Sequence, residues 1–282
     1  MNKILQIPFV RIIVAVLFIG VGIVVGQTVL NLLHSAFSIT NTGIANILVF
    51  ILFTPATYFA YWMYVRYVEK RDLTELGFSN GFREFGFGSL TGFGLYGFVI
   101  AILWLLGFYR VNGFDLVWLS LIGALASTFV RAFASELIFR AAIYRITEEW
   151  LGTWWALAIS AILFGLMYVS GSGVTIFSAL AVTLYAGVIL GAVYALTHRL
   201  WMALGLHMAW DFANEGIFGL GVGQTGASIK GLFQANLSGP ELFTGGAGGV
   251  EASVVTLMIM LIAGILILWR AYQKGQFVSR KK

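Results

Sequence analysis

Long apolar runs are the feature that most constrains what this chain can fold into. A helix needs roughly 20 apolar residues to cross a bilayer. Eight such runs fall near 9–33, 43–65, 88–108, 115–137, 155–169, 174–196, 200–220 and 252–270. Because 60% of the 282 residues are hydrophobic and 10% are charged, a water-soluble core does not account for them. The runs predict an all-α polytopic membrane protein, a single domain over residues 1–282 with eight transmembrane helices.

Basic residues lie in alternate connections between the predicted helices and in the C-terminal tail. They are Arg66, Lys70, Arg71 and Arg83, then Arg145, then His198 and Arg199, and finally Arg270, Lys274, Arg280, Lys281 and Lys282. Basic connections stay in the cytoplasm, so the pattern predicts a multi-pass protein with both the N- and C-termini cytoplasmic. The net charge of +5 comes from these loops and tails. It indicates contact with membrane lipid headgroups, and we expect no nucleic acid partner.

The roles of three segments are not decided by the length of their apolar runs alone. Residues 137–150 continue the fourth run without a breaker, and we expect them to run along or dip into the cytoplasmic interface. The Gly-rich stretch 219–249 is expected to be a mobile loop on the opposite side. No small-residue cleavage site follows the first run, so the sequence favours a retained helix over a signal peptide.

The residue types and motifs present argue against several chemistries. The chain has no cysteine, which excludes disulfides, thiolate metal sites and a cysteine nucleophile. Every lysine lies outside the apolar runs, so a Ser–Lys dyad within the membrane is not expected. The sequence contains no Gly-rich phosphate loop, no His-Glu-x-x-His motif and no Gly-x-Gly-Asp motif.

Two pairs of ionisable residues interrupt the apolar runs. Glu136 and Arg140 are four residues apart, as are His207 and Asp211, so each pair shares one face of its helix. Ionisable groups are costly at membrane depth and mark either a site or a buried structural pair. Histidine with carboxylates suits general-base or metal-assisted hydrolysis by an activated water. The alternative is structural: Arg140 pairs with Glu136, and Asp211 satisfies His207.

Two such pairs on different helices favour a common polar cavity. Arg131 and Glu215 are further ionisable residues within the runs. Tyr168 is a weaker candidate, because an interfacial or core position is the ordinary role of a tyrosine in a membrane protein. The sequence Ser-Gly-Ser-Gly at 170–173 is interpreted as a short turn between helices.

Three short motifs follow one another within residues 115–215. They read Ser135-Glu136-Leu137-Ile138-Phe139-Arg140, then Phe164-Gly165-Leu166-Met167-Tyr168, then His207-Met208-Ala209-Trp210-Asp211. In order and spacing they resemble the Glu-Glu-x-x-x-Arg, Phe-x-x-x-His and His-x-x-x-Asn/Asp motifs of the CPBP intramembrane proteases. This is the CAAX-processing and bacteriocin-immunity family, also called Abi. Residues 115–215 are therefore predicted to form a protease-family core.

The resemblance implies an eight-helix fold with a site facing the cytoplasm. It also implies an endopeptidase, a hydrolase that cuts peptide bonds near the cytoplasmic membrane face. The substrate implied is a membrane peptide or a prenylated protein tail. By resemblance, the residues of this chain that belong to the catalytic site are Glu136, Arg140, His207 and Asp211.

The chain departs from the family at two positions that concern the chemistry. By resemblance, the first glutamate and the second-motif histidine activate the water, directly or through a metal; here they are Ser135 and Tyr168. A serine hydroxyl and a neutral tyrosine are poor bases. The resemblance allows a divalent metal such as zinc, but two hydroxyls leave few ligands for one, and we assign no cofactor.

Three functions are therefore weighed. The first is an endopeptidase of the CAAX type, which requires Glu136, Tyr168 and His207 to share a water-filled cavity. The second, favoured by the two substitutions, is a pseudoprotease that binds or scaffolds a membrane peptide or a partner transmembrane helix without cutting it. The third is a transporter with a proton relay. The lack of an inverted repeat and of broken helix pairs argues against this last function.

Overall fold

The structure, a computed structural model, describes residues 6–169, 180–220 and 231–280, without the side chains of Tyr168 and Val169. The helices are α1 (Pro8–Phe37), α2 (Thr42–Glu69), α3 (Gly81–Leu105), α4 (Trp118–Leu151), α5 (Thr153–Val169), α6 (Leu180–Thr197), α7 (Leu200–Phe212, extended by Ala213–Ile217), the short α8 (Glu241–Thr244) and α9 (Val254–Gln273). Two strands, β1 (Tyr109–Phe114) and β2 (Phe233–Leu237), and two 3₁₀ turns, Gly246–Gly248 and Val250–Ala252, complete the described elements.

Among the described residues, 6 helices are long and apolar enough to cross a membrane: α1, α2, α3, α4, α6 and α9. The remaining two predicted runs also contain helices, α5 and α7, which do not meet both of these conditions. The prediction of a polytopic helical membrane protein is therefore confirmed. The total of eight spans and the cytoplasmic location of both termini stay predictions.

Helix α4 continues well past the length of one bilayer crossing. It passes through a π-helical segment, Leu137–Tyr144, and ends at Leu151. Residues Leu137–Tyr144 are almost entirely buried against neighbouring helices. The charged residues of this part of α4 have partners inside the protein, so they do not need to face water. That residues 137–150 run along or dip into the cytoplasmic interface stays a prediction.

The close packing of α3 against α7 depends on glycine. A Cβ atom at Gly92 would lie 2.5 Å from the backbone oxygen of Leu206 and 3.1 Å from the side chain of Ala209. Gly88 and Gly205 make similarly close approaches to the backbone of the opposite helix. Small residues let helix backbones approach one another in a membrane. The glycines of α3 and α7 thus fix where α7 lies in the bundle.

A small antiparallel sheet is an addition to the predicted all-α architecture. Strand β1 pairs with β2 with Tyr109 opposite Leu237 and Phe114 opposite Phe233. Strand β2 and helix α8 lie within 219–249, which was expected to be a mobile loop. For residues 231–249 the expectation of an irregular loop is wrong. Glycine-rich composition predicts a loop, but glycine is also the residue that ordered turns with positive φ favour. Gly245 and Gly249 have φ values of +80° and +63°.

Ion pairs connect several segments at the end of the bundle where α4 ends. Glu69 at the end of α2 accepts hydrogen bonds from Arg11 of α1 at 2.6 Å and from Arg145 of α4 at 2.8 Å. Arg145 also pairs with Glu149 at 2.7 Å. Because Glu69 is almost fully buried and contacts three arginines, the third being Arg71 at 2.7 Å, its charge is compensated within the protein.

A histidine in the connection between α6 and α7 contacts the same end of α4. His198 Nε2 lies 3.1 Å from a carboxylate oxygen of Glu148. The hydrogen bond to Glu148 raises the pKa of His198 above its ordinary value of 6.5 and outweighs the opposing effect of burial. His198 has a φ of +50°, a left-handed conformation that asparagine tolerates well.

Replacing Gly92 with valine is expected to destabilise the protein by about 1–3 kcal/mol, because the new side chain overlaps the backbone of α7. Gly94→Val is the matched control, since a Cβ atom at Gly94 meets nothing within 4 Å. The measurement is the free energy of unfolding in mixed detergent micelles. Equal losses for the two variants would contradict the close packing of α3 and α7.

Replacing His198 with asparagine is expected to remove a pH-dependent part of the stability. A raised pKa in the folded state means that the contribution is full below pH 6.5 and is lost as the pH rises through the folded value. The difference in unfolding free energy between the parent chain and His198→Asn should therefore shrink from pH 5.5 to pH 8.5. A difference that grows with pH would show that the pair with Glu148 is not formed.

Candidate functional site

The site is built on one buried carboxylate. Glu136 is 0% exposed and lies where α4 passes into its π-helical segment. Arg140, one turn further along and also 0% exposed, approaches both carboxylate oxygens, with Nε 3.3 Å from Oε2 and Nη1 3.4 Å from Oε1. A buried charge is costly unless it is paired. This ion pair is therefore a condition for Glu136 to occupy its position in α4.

Glu136 joins the two predicted pairs into one site. Its Oε1 lies 2.8 Å from Nδ1 of His207, which α7 contributes from 71 residues further along the chain. The other imidazole nitrogen, Nε2, lies 3.8 Å from Oδ2 of Asp211. The structure thus brings Glu136, Arg140, His207 and Asp211 together. A carboxylate on one imidazole nitrogen fixes the orientation of the ring.

Helices α5 and α6 enclose Arg140 from the other side. Its guanidinium carbon lies 4.8 Å from the centre of the Phe164 ring, a cation–π distance. Its Nη2 is 3.5 Å from the backbone oxygens of Ala186 and Gly187. These two residues belong to the π-helical segment Thr183–Gly187 of α6. The ring of Phe164 also contacts His207 edge-on, with centroids 5.9 Å apart.

Two further ionisable residues of the spans lie beside Asp211. Arg131 of α4 has its Nη2 3.8 Å from Asp211 and 2.5 Å from Oε1 of Glu215. Asp211 and Glu215 are four residues apart on α7, where the π-helical turn Ala213–Ile217 begins. The polar region around His207 therefore extends along both α4 and α7.

Of the two substituted motif positions, Ser135 and Tyr168, the structure describes the side chain of Ser135. Ser135 is buried, and its hydroxyl donates to the backbone oxygen of Ala132 at 3.0 Å, back toward its own helix. Tyr168 lies in the last turn of α5, but its side chain is outside the described residues. The predicted turn at 170–173 is also outside them.

A small cavity of about 30 Å³ lies beside His207 and Asp211. Its volume has room for one or two water molecules, and it has polar partners for them. The lining residues come from α5, α6, α7, α9 and the turn before α9. They are Phe164, Val182, Tyr185, Ala186, Ile189, Leu190, Leu206, His207, Trp210, Asp211, Glu251 and Met260.

Sequence reasoning missed Glu251 as a residue of this cavity. It lies in a short 3₁₀ turn between the buried residues Val250 and Ala252, and Trp210 donates a hydrogen bond to it at 3.4 Å. The one available signal was a carboxylate directly before the last apolar run. The Gly-rich composition around it indicated an outside loop and concealed its inward position.

The donors present do not fit a divalent metal. Among the residues described, no group of three or more His, Cys, Asp or Glu side chains is placed to hold one. Zinc requires at least three such ligands. Glu136 is engaged by Arg140 and His207, and Ser135 offers a neutral hydroxyl turned away to Ala132. We therefore derive no step through a metal.

These features define a class: a helical membrane protein with a buried Glu–Arg and His–Asp constellation shared by two of its helices. A family model described as type II CAAX prenyl endopeptidase Rce1-like matches residues 117–213. The match covers about a third of the chain, from the start of α4 to α7, and includes all three motifs. It confirms the resemblance to the CPBP and CAAX protease family. No curated protein and no solved structure matches the chain.

Replacing Glu136 with glutamine is expected to cost about 3–5 kcal/mol of unfolding free energy, because it leaves the buried Arg140 charge without a counter-ion. Glu149→Gln is the matched control. Glu149 also forms an i,i+4 pair with an arginine, but it is 43% exposed, so about 1 kcal/mol or less is expected. Similar losses in the two variants would contradict a charged, buried Glu136–Arg140 pair.

Proposed function

We propose that this chain is a CAAX-endopeptidase-type membrane protein whose hydrolytic site is impaired. In this proposal it acts by binding a membrane peptide or a prenylated protein tail rather than by efficient cleavage. The observation that supports it best is the engagement of Glu136. One oxygen bonds to His207, the other pairs with Arg140, and the side chain has no exposed surface.

A general base must reach the proton that it removes, directly or through one water. A movement of Glu136 that breaks its pair with Arg140 would leave a buried charge uncompensated. The interaction that makes Glu136 tolerable in the membrane thus opposes its use as a base. Glu136 is the one glutamate of the Glu-Glu-x-x-x-Arg motif that this chain retains.

Ser135 does not replace the missing glutamate. By resemblance its position carries a carboxylate that activates water, whereas a serine hydroxyl without a base beside it does not deprotonate water. Its hydrogen bond to Ala132 also directs the hydroxyl toward its own helix. Tyr168, where the family has histidine, is a donor more readily than a base at neutral pH.

The size of the cavity bears on how a ligand would bind. A volume of about 30 Å³ accepts a water or one small group of a peptide, such as an amide. Most of the lining is apolar, with His207, Asp211 and Glu251 as its ionisable groups. We therefore expect a bound peptide to lie outside this cavity and to insert a single group into it.

A second candidate function is endopeptidase activity with His207 as the base. One observation favours it: Glu136 holds Nδ1 at 2.8 Å, as a carboxylate does in an acid–histidine dyad. Nε2 is then the nitrogen left to accept a proton from a water in the cavity. Asp211 opposes this role of His207. Its Oδ2 lies 3.8 Å from Nε2, and a hydrogen bond between them would occupy the nitrogen that has to accept the proton.

The two functions are separated by restoring the family residues. The parent chain should bind a farnesylated peptide in lipid nanodiscs and cleave it slowly or not at all. The double variant Ser135→Glu with Tyr168→His should cleave it about 10²–10⁴-fold faster, because a positioned base and its partner contribute that much. Cleavage is measured by mass spectrometry of the products.

The matched control is Ser135→Gln with Tyr168→His, which supplies similar bulk without a carboxylate and should remain slow. Cleavage by the parent chain at the rate of the restored variant, abolished by His207→Ala, would establish the second candidate instead. Absence of peptide binding by the folded parent chain would contradict the proposed binding function.

A further inference from the structure

Asp211 occupies an intermediate position between two cationic partners. Its Oδ2 lies 3.8 Å from Nη2 of Arg131 and 3.8 Å from Nε2 of His207. Both distances exceed those of a hydrogen bond, although they fall within ion-pair range. A carboxylate placed in this way can form a short bond with either partner after a small movement. The position of Asp211 is therefore set by the balance between Arg131 and His207.

Glu215 fixes one side of that balance. It holds Arg131 at 2.5 Å, a short charge-assisted contact between α7 and α4. The three carboxylates and three basic residues of the site follow one another in an alternating series. In spatial order they are Glu215, Arg131, Asp211, His207, Glu136 and Arg140. Each of the two helices contributes three of them, so a shift at Arg131 reaches His207 through one intermediate group.

We propose that Arg131, anchored by Glu215, is a positioning residue that draws Asp211 away from Nε2 of His207. The proposal rests on the proposed function in one respect: it takes His207 as the centre of the site. Arg131 and Glu215 lie outside the three motifs. They would nevertheless determine whether Nε2 bonds to a carboxylate or stays directed to the cavity.

The proposal predicts opposite effects for the two members of the Arg131–Glu215 pair. Without Arg131, Asp211 should move onto Nε2, and His207 should hold its proton to higher pH. Without Glu215, Arg131 should turn fully to Asp211, and His207 should lose its proton at lower pH. Among the described residues, the charged and titratable groups around His207 are Glu136, Arg140 and Arg131 from α4, Asp211 and Glu215 from α7, and, across the cavity, Tyr185 from α6 and Glu251 from the turn before α9.

The test is a pH titration of the histidines by nitrogen-15 NMR in lipid nanodiscs. The chain has only 3 histidines, and the His207 signal is assigned by its loss in His207→Ala. A charge-assisted hydrogen bond from the imidazolium to a carboxylate favours the protonated form of histidine. Arg131→Met should therefore raise the titration midpoint of His207 by about one pH unit or more, and Glu215→Gln should lower it.

A double-mutant cycle separates positioning from a simple field effect. If Arg131 acts through Asp211, Arg131→Met should shift the midpoint by less than a third as much in an Asp211→Asn background. Equal shifts in the two backgrounds, or no shift with Arg131→Met, would overturn the proposal. His34, which is exposed, and His198, which bonds to Glu148, are internal references that should not move.

If Arg131→Met does not fold, the same cycle is measured with Glu215→Gln, alone and combined with Asp211→Asn. The expected shift in the titration midpoint of His207 is then downward, and it should be largely lost in the Asp211→Asn background. A shift in the wrong direction, or one that persists without Asp211, would again refute the positioning role. Because this experiment measures neither binding nor cleavage, its failure is distinguishable from a failure of the proposed function.

Discussion

The charge of Glu136 governs the arrangement of the helices around it. An ionised carboxylate with no exposed surface costs several kcal/mol to desolvate, and it persists only where partners compensate it. Arg140 comes from the same helix, so local sequence supplies it. His207 must come from α7, and the glycine contacts of α3 with α7 hold that helix in place. The packing of α7 against α3 therefore also determines whether Glu136 has a partner on a second helix.

The same pairing links stability to chemistry. A catalytic carboxylate has to exchange partners during a reaction, whereas Glu136 gains its stability from keeping both of them. In the family that the motifs resemble, a second carboxylate and a second histidine stand at the positions of Ser135 and Tyr168. Without them, activity has to draw on the residues that also carry the structural charge balance. This conflict between charge balance and catalysis is the physical basis for proposing that the site holds a ligand rather than turning it over.

The sequence predicted the helices and both i,i+4 pairs, because hydropathy and helical period are local properties. It also placed the three motifs within the segment that the family model matches. It did not predict the 2.8 Å contact of Glu136 with His207, which depends on how α4 and α7 pack. Nor did it predict Glu251 or the pairing of β1 with β2, because glycine-rich composition indicates a loop whether or not the turns are ordered.

The π-helical segments explain why helical period alone does not locate the site contacts. Three of them, Leu137–Tyr144, Thr183–Gly187 and Ala213–Ile217, lie in α4, α6 and α7, which all contribute to the site. A π turn adds a residue to the helical repeat and rotates the following side chains, and such turns are frequent at functional sites. In α6, the π segment supplies the backbone oxygens that approach Arg140. In α4, the π segment contains Arg140, which is buried and whose charge Glu136 compensates, so here too a wider turn lies at a contact of the site.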